Sequence, residues 1–197
     1  MKVIGLTGGT GSGKSVISGL LQHRGSYTID CDKIAHDIIL KGGPAYGDIV
    51  EYFGTGILDG TGEIDRKKLG EVVFGDPEKL AYLNRCTHHR VQEVVLREMD
   101  AARRQPDKYR RIVLDVPLFS EAVEAMCDEV WAVFAQEEVR IHRIMERDGI
   151  SRELAERRLA SQEKFESYAG YAHSIIDNSL DLAYVEEQLD ALCHEKR

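Results

Sequence analysis

The residues with the clearest chemical meaning form a glycine-rich segment near the amino terminus. A phosphate-binding loop requires Gly, four residues of any type, Gly-Lys and then Ser or Thr. Every position of that pattern is filled here by Gly8, Gly9, Thr10, Gly11, Ser12, Gly13, Lys14 and Ser15. The glycines let the backbone wrap a phosphate chain with its N–H groups pointing inward. We expect Lys14 to reach the β- and γ-phosphates and Ser15 to ligate Mg²⁺, so the segment predicts a nucleoside triphosphate site.

Carboxylates at two predicted strand ends are candidates for the remaining chemistry. Asp30 and Asp32 lie at the end of a predicted strand, and two acids at this spacing on a strand point to the same face. A carboxylate there can accept a hydroxyl proton or hold Mg²⁺ through water, or it can merely cap the following helix. Asp115 ends another apolar run, where it is either a Mg²⁺ ligand or a hydrogen-bond partner of the loop.

Positive charge is concentrated in one region of the chain, at Arg140, Arg143, Arg147, Arg152, Arg157 and Arg158. The first three share a helical face at spacings of three and four. Phosphoryl transfer needs positive charge over the γ-phosphate, and the forked guanidinium suits phosphate oxygens. The alternative is a solvated face paired with neighbouring glutamates. We take Arg143 and Arg147 as the candidates for contact with the transferring phosphate.

The elements that must position these residues follow from the hydrophobic pattern. Short apolar runs predict strands at residues 2–6, 26–30, 112–116, 129–134 and 174–177. Helical spacing follows the glycine loop and predicts further helices at residues 32–40, 137–147, 151–166 and 182–193, with residues 45–110 mostly helical. In the helix opened by Ser151, we expect Leu154 and Ala155 to face inward. Strands alternating with helices predict an α/β fold with a parallel sheet and ligands at the carboxyl ends of its strands.

Composition narrows the function classes. The chain has 197 residues, 43% of them hydrophobic and 30% charged, which is typical of a single soluble globular domain. The net charge of −8 argues against general nucleic-acid binding, and no stretch is long enough to span a membrane. The four widely spaced cysteines and the lack of a signal peptide predict a cytoplasmic protein. No Asn-Lys-x-Asp guanine reader is present, which disfavours a GTPase, and no paired acids end a strand as in motor ATPases.

Further segments, taken together with the loop, resemble the dephospho-coenzyme A kinase family. The similarity runs over nearly the whole chain in order and spacing. Beyond the loop, it is carried by Asp30-Cys31-Asp32 and His36, Gly62 to Arg66 with Leu69, Leu83 with His88 and Val91, Val116 to Phe119 with Glu121, Arg143, Arg147, Asp148, Arg158, Gln162, Ile176 and Asn178. Departures from the family pattern include Thr10 in place of Ile or Val, and His89 in place of Pro.

The resemblance implies transfer of the γ-phosphate of ATP, with Mg²⁺, to the ribose 3′-hydroxyl of dephospho-coenzyme A, the last step of coenzyme A synthesis. It makes Asp32 the candidate general base and adds Asn178 to the nucleotide site. The implied acceptor-binding residues are Asp32, His36, Asp65, Arg66, His88, Pro117 and Leu118. The implied fold is a P-loop NTPase three-layer sandwich with a parallel five-stranded sheet, a helical substrate-binding insertion and a helical lid.

The expected organisation is one kinase domain over residues 1–197. Its core is expected at about residues 1–56, 111–139 and 166–197, the substrate-binding helices at about 57–110 and the lid at about 140–165. Two alternatives stay open: another P-loop nucleoside, nucleotide or small-molecule kinase, and a non-catalytic ATP-binding protein. The sequence leaves the oligomeric state undetermined.

Overall fold

A five-stranded sheet forms the centre of the fold in the part of the chain that the computed structural model describes, residues 1–116, 121–162 and 165–194. Its strands are β1 (Lys2–Thr7), β2 (Ser26–Asp30), β3 (Arg111–Asp115), β4 (Glu129–Phe134) and β5 (Ser174–Asp177). Their order across the sheet is β2-β3-β1-β4-β5, and β1 pairs in parallel with both β3 and β4. The expected α/β architecture with a parallel five-stranded sheet is thereby confirmed.

Helices connect the strands and continue beyond them. In the described residues they are α1 (Lys14–His23), α2 (Cys31–Asp37), α3 (Tyr46–Phe53), α4 (Arg66–Val73), α5 (Pro77–Arg103), α6 (Glu121–Glu124), α7 (Glu137–Asp148), α8 (Arg152–Ala160), α9 (Phe165–Ala169) and α10 (Leu182–His194). A 3₁₀ turn at Thr55–Ile57 lies between α3 and α4. The single helix expected over residues 151–166 is wrong in its extent, because α8 ends at Ala160 and α9 begins at Phe165.

The chain divides into two compact units. The first comprises residues 1–29 and 102–197, and the second comprises residues 30–101. The second unit contains most of the helical region expected at about residues 57–110, but it begins at Asp30. No helix among the described residues is long and apolar enough to cross a membrane.

The core of the first unit explains why its strands are almost uniformly apolar. Residues Ile112, Val113 and Leu114 are fully buried, as are the central residues of β1 and β4. Strands of a parallel sheet are covered by helices on both faces, so both sets of alternating side chains must be apolar. Ile17 and Leu21 of α1 join Val185 and Leu189 of α10 in the same cluster, which anchors the first helix against the sheet.

The second unit has its own hydrophobic cluster, which includes Ile49 of α3 and Leu69 and Val73 of α4. At its surface, the rings of Tyr52 and Tyr82 are stacked with centroids 3.6 Å apart and an interplanar angle of 11°. These contacts give the second unit a hydrophobic core of its own.

Substitution of Leu21 by Ala tests the anchoring of α1. Because Leu21 is fully buried, Leu21→Ala is expected to lower the free energy of unfolding by about 2–5 kcal/mol, measured by urea denaturation. Leu180→Ala is the matched control, since the Leu180 side chain is 63% exposed, and its change is expected to stay within about 0.5 kcal/mol. Equal losses in the two variants would contradict the assigned packing of α1.

Candidate active site

The glycine-rich loop connects β1 to α1 at the carboxyl end of the central strand. Gly11 and Gly13 have φ values of 77° and 86°, in the left-handed region that side chains rarely adopt. At Gly8, an added Cβ atom would lie 2.7 Å from Ser12 Oγ and 3.0 Å from the Val133 carbonyl oxygen. The three glycines are therefore required by the backbone path itself, and they make a tight turn around a space suited to a small group.

Donor groups of this turn are arranged for an anion. Gly13 caps α1 without a side-chain hydrogen bond to the first turn of the helix. The Val16 N–H donates to the Gly13 carbonyl at 2.9 Å, whereas the N–H groups of Lys14 and Ser15 precede the first residues that can bond within the helix. The helix dipole makes this end positive. Ser12 Oγ is buried and has no hydrogen-bond partner among the described residues. Unsatisfied donors at a helix start are the usual binding groups for phosphate.

The carbonyl oxygens of the loop are held from outside by side chains of α7 and by the residue after β5. Arg140 Nε donates to the Thr10 carbonyl at 2.9 Å. Arg143 Nη1 donates to the carbonyls of Gly11 at 3.4 Å and Ser12 at 3.3 Å. Since the N–H and C=O groups of a peptide point in opposite directions, binding the carbonyls outside leaves the amide side of the loop for a ligand.

Asn178 completes this outer layer. Its side chain is buried, and its Nδ2 donates to the Ser12 carbonyl at 2.8 Å. Its own carbonyl accepts a hydrogen bond from Arg143 Nη2 at 2.9 Å. The structure thus brings Asn178 and Arg143 to the loop, where they bond to loop carbonyls. Arg140 has an equal share in this layer, although nothing in the local sequence pattern distinguishes it from the neighbouring arginines.

Lys14 forms an ion pair with Asp115, and both side chains are mostly buried. The pair is a consequence of strand register, because Leu6 of β1 lies opposite Asp115 at the end of β3. Asp115 was expected to be either a Mg²⁺ ligand or a hydrogen-bond partner of the loop, and this contact is a hydrogen bond to the loop residue Lys14. Ser15, the residue after Lys14, is exposed in the first turn of α1. A lysine, a carboxylate and a hydroxyl are therefore contributed by adjoining parts of one site.

The two acids near the end of β2 have different positions. Asp30 caps α2, where its carboxylate accepts a hydrogen bond from the Lys33 backbone N–H at 2.9 Å. Asp32 is exposed in the first turn of the same helix. The expectation that both acids share one face of a strand is wrong, because β2 ends at Asp30 and α2 begins at Cys31. The capping interpretation applies to Asp30, which leaves Asp32 as the candidate base.

The expected acceptor-binding residues lie on three helices of the second unit. His36 is exposed on α2 and His88 is exposed on α5. Arg66 is exposed at the first position of α4, and Asp65 caps that helix by accepting from Lys67 and Lys68 backbone N–H groups at 2.9 and 3.2 Å. Asp65 thus has a structural role as a helix cap, independent of any role in binding the acceptor. Two further expected residues, Pro117 and Leu118, lie outside the described residues.

The remaining arginines of α7 and α8 are paired with carboxylates. Arg147 bonds to Asp148 through Nε at 2.8 Å and Nη2 at 2.9 Å, and Arg158 pairs with the same carboxylate. The partners of Arg152 are Glu138 and Glu156, and the partner of Arg157 is Glu153. The expected pairing with glutamates is found for Arg152 and Arg157, whereas the partner of Arg147 and Arg158 is an aspartate. Arg143 bonds to the loop, whereas Arg147 bonds to Asp148, and the catalytic role of Arg147 stays a prediction.

The start of α8 is also as expected, but one inward-facing residue is not. Ser151 Oγ accepts the Leu154 N–H at 3.4 Å and so caps α8. Ala155 is fully buried, whereas the Leu154 side chain is 49% exposed. Consecutive residues on an α-helix point about 100° apart, and the face of α8 that packs on α7 includes Ala155 but not Leu154. Ile141, Ile144 and Ala155 form the cluster that joins α7 to α8.

The Asp148 carboxylate provides a pH test of this hairpin. Hydrogen bonding to Arg147 lowers the pKa of Asp148 below its usual value of 3.8, and the charges of Arg147 and Arg158 act in the same direction. The stabilisation of the folded state is therefore present above pH 3.8 and is lost as the pH falls through the lower folded pKa. Carbon-13 NMR titration should give a midpoint below 3.8 that rises in Arg147→Gln. Arg157→Gln, which removes the partner of Glu153, should leave the Asp148 midpoint unchanged.

Together, the sheet order and the loop define the class of the protein. A parallel sheet with a phosphate loop after its central strand, and a helical hairpin whose arginines reach that loop, is the architecture of a P-loop kinase. The family model for dephospho-CoA kinase (CoaE) matches residues 2–183. The chain belongs to the dephospho-CoA kinase family.

Relatives and solved structures agree with this assignment. The chain is 41% identical to a dephospho-CoA kinase of Carboxydothermus hydrogenoformans, over 96% of this chain and 91% of the relative. It is 39% identical to one of Geobacter metallireducens, over 100% and 97%. The structure of dephospho-CoA kinase from Campylobacter jejuni matches with a TM-score of 0.69 and 29% identity, over 98% of this chain and 96% of the other.

More distant structures show the fold alone. A shikimate kinase from Acinetobacter baumannii in complex with shikimate has a TM-score of 0.53 and 16% identity, over 100% of this chain and 95% of the other. The same fold therefore carries kinases with different acceptors, and the acceptor has to be inferred from more than the sheet.

Proposed function

We propose that this protein transfers the γ-phosphate of ATP to the ribose 3′-hydroxyl of dephospho-coenzyme A, giving coenzyme A and ADP. The single observation that supports ATP as the phosphate donor is the loop, whose carbonyls are bound from outside by Arg140, Arg143 and Asn178. Its amide side and Lys14 are then available to a phosphate chain. The choice of acceptor is supported by the family match over residues 2–183.

The proposed mechanism is in-line displacement at the γ-phosphorus. The 3′-oxygen forms a bond to phosphorus as the bond to the β–γ bridging oxygen breaks and ADP leaves. Asp32 accepts the hydroxyl proton, for which its exposed position at the start of α2 is suitable. Lys14 neutralises the phosphate oxygens once they replace Asp115 as its partner. Arg143 is already at the loop, and Arg147 joins the phosphates by exchanging Asp148 for them.

The residues beside Lys14 fit a magnesium ion. The Ser15 hydroxyl and the Asp115 carboxylate are hard oxygen donors, which Mg²⁺ prefers, and in this class of site phosphate oxygens and water complete its shell. Among the described residues, no group of three or more His, Cys, Asp or Glu could hold a metal without the nucleotide. Held by Ser15 and Asp115, the ion would supply positive charge that neutralises the phosphate oxygens.

Acceptor recognition is assigned to the second unit and to the segment after β3. We take His36, Asp65, Arg66 and His88 as binding residues, together with Pro117 and Leu118 outside the described residues. Residues of about 140–165 act as the lid that excludes water during transfer. We further propose that the reaction takes place in the cytoplasm, to which the four free cysteines are suited, without nucleic-acid or membrane partners.

An acceptor comparison tests this function. ADP release from ATP and Mg²⁺ is measured with dephospho-coenzyme A, adenosine, AMP, shikimate or no acceptor. Strong release is expected only with dephospho-coenzyme A. Release with a different acceptor would retain the kinase and contradict the substrate. Tight ATP binding without release for any acceptor would favour a non-catalytic ATP-binding protein.

Substitutions separate the roles of Asp32 and Lys14. Asp32→Asn is expected to lower kcat by about 10²–10⁴-fold with little change in ATP affinity, because it removes the proton acceptor only. Asp37→Asn is the matched control, since Asp37 lies on the same helix and pairs with Lys33 at the surface. Lys14→Ala is expected to abolish transfer and weaken ATP binding. Full activity in Asp32→Asn would remove this residue from the chemistry.

A further inference from the structure

Gln162, two residues beyond the end of α8, bonds to one residue of the phosphate loop at two points. Its Oε1 accepts the Thr10 N–H at 3.0 Å, and its Nε2 donates to Thr10 Oγ1. Arg140 Nε donates to the Thr10 carbonyl at 2.9 Å. All three polar groups of Thr10 are thus bonded to residues outside the loop.

The side-chain amide of Gln162 has a defined orientation. A backbone N–H can only donate, so the Gln162 carbonyl oxygen must face it, and the amide NH₂ then faces the Thr10 hydroxyl. A hydrophobic residue at position 10 would keep the first hydrogen bond and lose the second. A hydrophobic residue at position 162 would lose both. The two bonds therefore fix the Thr10 peptide more firmly than either bond alone.

The same peptide is confined on its other side by α7. An added Cβ at Gly11 would lie 2.9 Å from the Arg140 carbonyl oxygen and 3.1 Å from its Cα. The apex of the loop therefore lies between the α7 backbone and Gln162. The Thr10 N–H is used by Gln162, so the donors left for phosphate lie further along the loop, towards the start of α1. The contact can persist while a nucleotide is bound.

We propose that Gln162 is a positioning residue for nucleotide binding, which holds the Thr10 peptide so that the loop is shaped before ATP arrives. A glycine-rich loop that is loose in the free protein must be ordered on binding, and that ordering weakens affinity. Gln162 reduces this loss without touching the nucleotide. The inference rests on the proposed function only in taking ATP as the ligand, and it is independent of the acceptor.

The test is isothermal titration of the full chain with ATP and Mg²⁺, without acceptor. Gln162→Met, which keeps length and removes both polar groups, is expected to raise the ATP Kd about tenfold. Thr10→Val is expected to raise it about threefold. Thr10→Ser keeps the hydroxyl and should stay within about twofold of the natural protein. Gln22→Met makes the same replacement at an exposed position of α1 and should leave the Kd unchanged.

A double-variant cycle and steady-state kinetics distinguish direct contact from general damage. The Kd of Thr10→Val/Gln162→Met should equal that of Gln162→Met alone, because the hydroxyl has already lost its partner. The KM for ATP should rise with the Kd, whereas kcat at saturating ATP should change less than about twofold.

Three results would overturn the inference: an unchanged Kd in folded Gln162→Met, additive effects in the double variant, or a Thr10→Ser protein as weak as Thr10→Val. Failure of the proposed function has a different signature. In that case the natural protein would bind ATP and transfer nothing to dephospho-coenzyme A, and the comparison of Kd values would still decide the role of Gln162.

Discussion

The whole site depends on how the carbonyl groups of the phosphate loop are hydrogen-bonded. A loop can present its amides to a phosphate only if the opposite carbonyls are satisfied elsewhere, since a buried polar group without a partner is unfavourable. Arg140 and Arg143 of α7 and Asn178 after β5 supply those partners. The sheet order places β4 and β5 on the side of β1 from which α7 and Asn178 reach the loop.

The charged side chains near the site also have partners, as the loop carbonyls do. The protein is acidic overall, and Arg147, Arg152, Arg157 and Arg158 are paired with carboxylates. Lys14 is paired with Asp115. In the proposed mechanism, Lys14 and Arg147 exchange their carboxylate partners for phosphate oxygens and therefore stay paired. The exchange matters most for Lys14, because its side chain is mostly buried and a buried charge without a partner is unfavourable.

Local pattern was sufficient for the strands and for the loop. Apolar runs located all five strands, and β2, β4 and β5 have the predicted bounds. The pattern failed where a contact spans the chain. Thr10 and Gln162 are 152 residues apart, and no periodicity signals that their side chains meet. The pattern also failed for Asp30 and Asp32, which were expected to share one face of a strand. Asp30 caps α2 and Asp32 lies in its first turn, because the helix begins at Cys31.

The phosphate loop is expected to be held in its binding shape by Arg140, Arg143 and Asn178 before the nucleotide arrives. A crystal structure with Mg²⁺ and a non-hydrolysable ATP analogue tests this expectation most directly. The phosphates should lie against the amides at the start of α1, with Lys14 moved from Asp115 to the phosphate oxygens. The bonds from Arg143 and Asn178 to the loop carbonyls should be retained. Phosphates bound elsewhere, or a loop whose carbonyls have left these side chains, would contradict the account.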